Sequence, residues 1–210
     1  MNRKWANIVV VLAVAALSGC ASMSADECVA SDWSAVGFED GSRGYTSERF
    51  GSHRKACAKH GITADFQAYQ RGRDQGLVEF CQPGRAFSYG VNGGNYNGVC
   101  AADMEPEFLE AYHAGRKLYT LRANVSRANS AIYARESELE AAENRIVAAQ
   151  LALISDETTT EERLALLAEL KELSERTGNL ESEIKQLVAD RARFEQDLQY
   201  YEQTVAAYGY

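Results

Sequence analysis

The chain has 210 residues, a formal net charge of −8, five cysteines, 16 glycines and only two prolines. An acidic chain with no lysine- and arginine-rich run is poorly suited to nucleic acid or to an anionic membrane surface. The same balance disfavours a direct grip on anionic lipopolysaccharide.

The first element is a leader. Met1-Asn2-Arg3-Lys4 is followed by an apolar run from Trp5 to Leu17, then by Leu17-Ser18-Gly19-Cys20. A basic start, an apolar stretch and small residues before a cleavage point are the parts of a secretory signal. The run is too short to cross a bilayer, which takes about 20 residues. A cysteine directly after Leu-Ser-Gly resembles the bacterial lipoprotein signal, in which that cysteine becomes the acylated first residue of the mature chain. The resemblance implies a signal peptide over 1–19, lipidation of Cys20, by palmitate among other acyl chains, and a lipidated tether over 20–26. Several acyl chains on one residue anchor firmly where one would be marginal, at ~0.8 kcal/mol per buried CH₂. In such lipoproteins an aspartate after the cysteine often retains the protein at the inner membrane. Ala21 therefore implies the outer membrane, with the chain facing the periplasm. Losing Arg3 and Lys4 and no acid takes the side-chain charge from −8 to −10.

Residues 27–104 read as a small cysteine-containing domain, with most of the glycines and, at Trp33, the tryptophan of the mature chain. With Cys20 taken by lipid, Cys28, Cys57, Cys81 and Cys100 remain, an even number in an oxidising compartment. Two disulfides are expected. Three pairings are possible, and Cys28–Cys57 with Cys81–Cys100 is favoured because sequential pairing suits small domains of short elements. Each bond contributes ~2–4 kcal/mol, which matters where the core is small.

One pattern recurs in this region. Phe66-x-x-Tyr69-x-x-Gly72-Arg73 is echoed by Phe108-x-x-x-Tyr112-x-x-Gly115-Arg116, and more weakly by Trp33-x-x-x-Gly37-x-x-Asp40-Gly41. Gly72 and Gly76 form a Gly-x-x-x-Gly face, which lets another helix approach closely. Close helix packing is the expectation. A cleft lined by Tyr69, Tyr112 and Trp33 is the functional alternative. Glycines and asparagines between Gly84 and Gly98 predict a short hairpin or an ordered loop, without phosphate-loop spacing.

Signs of chemistry are few. His53-x-x-x-Cys57-x-x-His60 would present ligands on one helical face, completed by Cys81 or Cys100. A zinc site there would leave other cysteines unpaired in an oxidising compartment, and a cysteine nucleophile fails because a disulfide sulfur is not a thiolate. Asp40, Asp65, Asp74 and Glu79 offer carboxylate pairs, as any acidic chain does. Asp40-Gly41 reads as a helix end or turn. No catalytic signature appears, so the reading is not an enzyme and holds no metal or cofactor.

Trp33-x-x-x-Gly37-x-x-Asp40-Gly41, Ala56-Cys57, Tyr69-x-x-Gly72-x-x-x-Gly76-Leu77-x-x-Phe80-Cys81, Gly90 and Tyr96-x-Gly98-Val99-Cys100 together resemble a family of Gram-negative lipoproteins known only as a domain of unknown function. The likeness covers about residues 27–118; a tyrosine is more usual where this chain has Phe80. It implies a periplasm-facing lipoprotein and carries over no activity, catalytic residue or ligand.

Residues 105–207 read as two long helices. Apolar or small residues recur at alternating three- and four-residue steps from Leu118 through Ile132 and Ile146 to Leu153. A second series runs from Leu166 through Leu180 and Leu187 to Val205. These are the seams of a coiled coil. The polar break near 155–159 carries a capping-box pattern, Thr158 with Glu161. A short break between two seams predicts an antiparallel hairpin. A turn centred on Asp156 pairs Leu139 with Leu173, Ile146 with Leu166 and Arg135 with Thr177. Pro106 suits the first turn of a helix that begins near Asp103. The aromatic residues at the start of the first helix and the end of the second meet at the base.

The fold expected is therefore mainly α: a small disulfide-stapled domain followed by a long coiled-coil hairpin. The leading functional expectation is a non-enzymatic structural or adaptor lipoprotein, with its hairpin projecting into the periplasm toward an envelope protein. Its partners would be the membrane, through lipid, and that protein, with oligomers possible and no nucleic acid. The alternative is a module binding cell-wall glycan or a small ligand through Trp33, Tyr69, Tyr89, Tyr96 or Tyr112. Stacking would require those rings to be exposed.

Overall fold

A computed structural model describes residues 23–207 and 209. Cys20 and its flanks, with Tyr208 and Tyr210, lie outside the described residues. Among the described residues there are seven helices and no strand: α1 (Ala25–Ala30), α2 (Trp33–Ser42), α3 (Arg49–Ala58), α4 (Phe66–Phe80), α5 (Pro83–Val91), α6 (Glu105–Leu153) and α7 (Thr160–Ala207).

Local chemistry starts several of them. Ser24 and Glu27 form a capping box on α1. Asp32 caps α2 by accepting from the Ser34 and Ala35 amides, and Asp65 caps α4 by accepting from Ala68. Each cap satisfies amides that the first turn cannot pair internally.

The chain forms two compact units. In the described residues the first comprises 23–85 and 96–106, and the second 86–95 and 107–207 with 209. A single cut at 104 would have missed that residues 86–95 group with the hairpin. Glycine contacts supply the reason. A Cβ added at Gly90 would lie 2.4 Å from the Tyr112 carbonyl oxygen, and one at Gly115 only 2.2 Å from that of Phe87. The α5 and α6 backbones are in direct contact there.

The first unit uses the same device between α2 and α4. A Cβ at Gly37 would meet the Tyr69 carbonyl oxygen at 2.0 Å, and one at Gly72 the Ser34 carbonyl oxygen at 1.8 Å. Gly41 and Gly76 continue the seam against Arg73 and Phe38. The expected close packing at Gly72 and Gly76 is present. Its apolar side is a core of Cys28, Trp33, Phe50, Cys57, Ala64 and Tyr69. Disulfides join Cys28 to Cys57 and Cys81 to Cys100, the sequential pairing.

These contacts reveal a repeated pattern. Gly37 follows Cys28 by nine residues, as Gly90 follows Cys81. Cys57-Ala58 precedes Ala68-Tyr69-x-x-Gly72-Arg73 at the same spacing by which Cys100-Ala101 precedes Ala111-Tyr112-x-x-Gly115-Arg116. Each copy joins its own two cysteines and packs its own glycines helix on helix. The copies differ in length in one place. Fifteen residues separate Gly41 from Cys57, and five separate Gly94 from Cys100. The longer connection carries α3.

One sequence expectation is corrected here. The glycine-rich stretch from Gly84 is not a hairpin or loop throughout; its first part is α5. Pro83 opens that helix, where a missing amide is harmless. Gly90 belongs to it because its lack of a Cβ admits α6, not because a turn needs it. The glycines of this stretch that take up positive φ are Gly93, at +78°, and Gly98, at +64°.

In the second unit α6 and α7 form the antiparallel hairpin. Leu118, Ala128, Ile132, Ala142 and Ala149 are buried on α6, and Leu180 and Val205 on α7. Most other seam residues are half-buried, because two helices alone leave each seam side chain flanked by solvent. Arg145 bonds Glu169, Arg176 pairs with Glu138, and the Tyr201 hydroxyl donates to the Ala114 carbonyl. These pairs centre the hairpin at or just beyond Glu157, one residue past Asp156. Helical side chains lean toward their own N-terminus, which shifts side-chain pairs by about that much from the backbone midpoint. Arg135 pairs with Glu138 and Glu183. At the base Lys117 sits over the Tyr201 ring.

Candidate functional site

The tip of the hairpin is built by one arginine. Arg163, on the first turn of α7, donates to the carbonyls of Leu153, Ser155 and Thr158. It closes the end of α6, whose last carbonyls have no partners in the helix, and holds the whole turn. The Thr158 hydroxyl donates to the Ala152 carbonyl at 2.6 Å. The capping box falls one residue later than expected, on Thr159 and Glu162. The Thr159 amide donates to Glu162 at 2.8 Å, and the Glu162 amide to the Thr159 hydroxyl at 3.3 Å. These bonds hold the Glu162 carboxyl below its ordinary value. Thr158 does not serve as the cap: its hydroxyl is turned back to donate to the Ala152 carbonyl, and its own carbonyl accepts from Arg163.

This rigid turn displays apolar side chains. Leu151 is 62% exposed, Ile154 77% and Leu164 64%; Val147 and Leu167 are exposed as well. Val147 and Ile154 each follow a seam residue, Ile146 and Leu153, and Leu167 follows Leu166. At 3.6 residues per turn, one step past the seam rotates a side chain by ~100°. In antiparallel helices that step leads to the same side of both. Val147, Ile154 and Leu167 therefore share one side of the hairpin near its tip, whereas Leu151 and Leu164, two steps from the seam, lie on the outward faces of their helices. On the other side a shallow cleft of about 490 Å³ is lined by Ala152, Glu162, Ala165, Leu166 and Glu169. The surroundings are acidic. Residues 136–169 hold nine carboxylates and two arginines, and both arginines are engaged, Arg145 by Glu169 and Arg163 by the turn.

The sequence-proposed aromatic residues fall elsewhere. Trp33 and Tyr69 are interior, at 8% and 0% exposure, so they line no open cleft and offer no face for stacking. Trp33 packs edge-on against Phe50. Tyr89 and Tyr112 are half-buried 6.2 Å apart; their hydroxyls donate to the Asn95 and Gly94 carbonyls. Tyr96 donates to Glu105 at 2.8 Å and accepts from the Cys100 amide at 3.0 Å. Burial pushes the Tyr96 phenol up. These hydroxyls act as internal braces. Cys57, one of the conceivable metal ligands, is in a disulfide. Cys20, the residue expected from the sequence to carry lipid, lies outside the described residues.

A buried polar cluster was missed by sequence reasoning. Asp40, 5% exposed, accepts from the Tyr69 hydroxyl at 2.9 Å and pairs with His53 Nε2 at 2.9 Å. Arg49 Nε lies 3.9 Å from its other oxygen. Burial, then the bond to Asp40, pushes the Tyr69 phenol above its ordinary range. His53 and Arg49 both come from α3, the segment without a counterpart in the second copy. There Gly93 stands at the place of Asp40, and Tyr112 bonds a backbone carbonyl instead. A signal existed: Trp33, Gly37, Asp40 and Gly41 share one helical face, so Asp40 sits on the buried stripe. Asp40-Gly41 does lie in the last turn of α2, as expected, but as a buried anchor. For the tip, the signal was the surplus of apolar residues outside the seam.

Comparison with known proteins adds one match. Residues 32–117 match the family model of a protein of unknown function, DUF2799. The matched stretch holds both glycine-packed helix pairs and ends within α6, so most of the hairpin lies beyond it. No curated protein and no solved structure matches the chain.

Proposed function

We propose that the protein is a non-enzymatic lipoprotein, anchored to the outer membrane through Cys20 and facing the periplasm, that uses its hairpin tip to bind an envelope protein. The observation that carries this reading is the set of exposed apolar side chains at the tip, beside a turn that Arg163 holds rigid. Contiguous exposed apolar surface rimmed by polar groups marks interaction sites. A turn already ordered loses little freedom on binding. The length of α6, 49 residues or roughly 73 Å at 1.5 Å per residue, suits a hairpin that reaches a distant partner. The lipoprotein assignment rests on the Leu17-Ser18-Gly19-Cys20 sequence. Glycan binding has no comparable support, since Trp33 and Tyr69 are interior.

The test places photo-crosslinking residues in living cells at Glu157, on the tip, and at Tyr89. A discrete protein adduct from Glu157 is expected. A silent tip together with glycan adducts from Tyr89 would overturn the adaptor reading. Cys20→Ser is expected to abolish acyl labelling and to release the chain from the membrane fraction; unchanged labelling would overturn the anchor.

A further inference from the structure

The segment between Gly41 and Cys57 gives the first glycine-packed copy something the second lacks. The second copy packs its helices without α3, so α3 is not required for that packing. On α3 lies a cleft of about 530 Å³. Phe50, Ala64 and Phe66 supply apolar walls, Gly51 leaves its mouth open, and Arg54 and Glu48 stand on its rim. Phe66 is 47% exposed, and nothing lies within 4 Å of a Cβ built on Gly51. The charge here is opposite to that of the tip. Residues 43–73 hold seven basic side chains and two acidic ones. They are scattered along the segment, so no basic run betrays them.

We propose that the tip of one molecule docks into the α3 cleft of a second copy of the same chain. This rests on the adaptor reading of the tip and names its partner. Two properties match. Val147, Ile154 and Leu167 present an apolar knob, and the cleft is walled by Phe50, Phe66 and Ala64. The tip that carries the knob also carries Asp156, Glu157, Glu161 and Glu162, and the segment that carries the cleft holds Arg49, Arg54 and Lys55. Tip-to-tip pairing would set carboxylates against carboxylates. An anionic lipid surface would meet the same repulsion. The knob and the cleft are different surfaces, so the contact is heterologous and each molecule offers both halves. Such contacts form rings or open chains. Opposed charges make the association weaken as salt is raised.

The experiment uses the full chain in cells that make two differently tagged copies, one with a photo-crosslinking residue in place of Ile154. A product carrying both tags is expected, with the adduct mapping to residues 47–66 of the second copy. Gly51→Leu in that copy puts a side chain at the mouth of the cleft, where its Cβ meets nothing within 4 Å, and should cut the product at least fivefold while both disulfides still form. Arg54→Glu should weaken it similarly, and Glu157→Arg with Glu161→Arg in the first copy should restore it in part. A product indifferent to Gly51→Leu overturns the proposal. Adducts to other proteins but never to a second copy overturn it and leave the adaptor reading standing. A tip that captures no protein overturns both.

Discussion

A methyl group added at Gly72 has nowhere to go, because the Ser34 carbonyl oxygen stands 1.8 Å from where its carbon would lie. Either the two helices separate or the backbone distorts, so Gly72→Ala is expected to destabilise the first unit by about 1–3 kcal/mol, or more. Gly178 is the internal control. It lies in mid-helix on α7 with nothing within 4 Å of an added Cβ. Gly178→Ala should stabilise the hairpin by about 0.5–1 kcal/mol through helix propensity alone. Urea unfolding of the two variants would give opposite signs; equal signs would refute the packing argument. Tyr69 allows a second prediction at this scale. Its folded phenol keeps its proton to higher pH than the unfolded phenol, whose ordinary value is 10.0. Its contribution to stability is therefore fully present below pH 10, declines as pH rises above that, and is lost once pH passes the folded value. Tyr69→Phe should cost about 1 kcal/mol at pH 7 and should lose less stability than the wild type on going to pH 11. Unfolding midpoints at the two pH values check this.

Elements in this chain owe their ends to single side chains. Arg163 gathers three carbonyls from residues 153–158, and a lysine, with one compact ammonium, cannot span them. Arg163→Lys is expected to destabilise the hairpin by about 1–3 kcal/mol and to speed amide exchange across the turn. Arg145→Ala, which removes an exposed pair with Glu169, should change stability by less than about 1 kcal/mol. If the two variants were equal, the arginine would be an ordinary surface charge. The hairpin itself was legible in the sequence because heptad spacing is local and repeats over many turns. The turn was legible only to within a residue. Thr158 and Thr159 offer the same hydroxyl, and the choice between them depends on Arg163, a residue beyond the capping motif. α5 was misread for a related reason: glycines that admit a neighbouring helix look in sequence like glycines that make a turn.

At the scale of the molecule, charge and covalent staples are divided unevenly. Residues 105–207 hold 20 acids and 12 bases, whereas residues 23–104 hold 10 and 8. The disulfides are likewise confined to the first unit. Cys28→Ser with Cys57→Ser should cost that unit about 2–4 kcal/mol. The α6–α7 hairpin contains no cysteine and should keep its helical signal. Hydrogen exchange read separately for 25–80 and 120–200 would distinguish this from a chain that melts as one, which would show both regions losing protection together.

The sequence by itself determined the four cysteines that pair, the long seams and the polar break between them. Each depends on residue types at short, fixed spacings, where sequence distance and spatial distance are nearly the same. Tertiary structure decided which glycines face which backbone, that Asp40 lies buried between Tyr69 and His53, and that α3 opens a cleft. Those outcomes depend on residues 13 to 38 positions apart meeting at contact distance, and no local spacing encodes such a meeting.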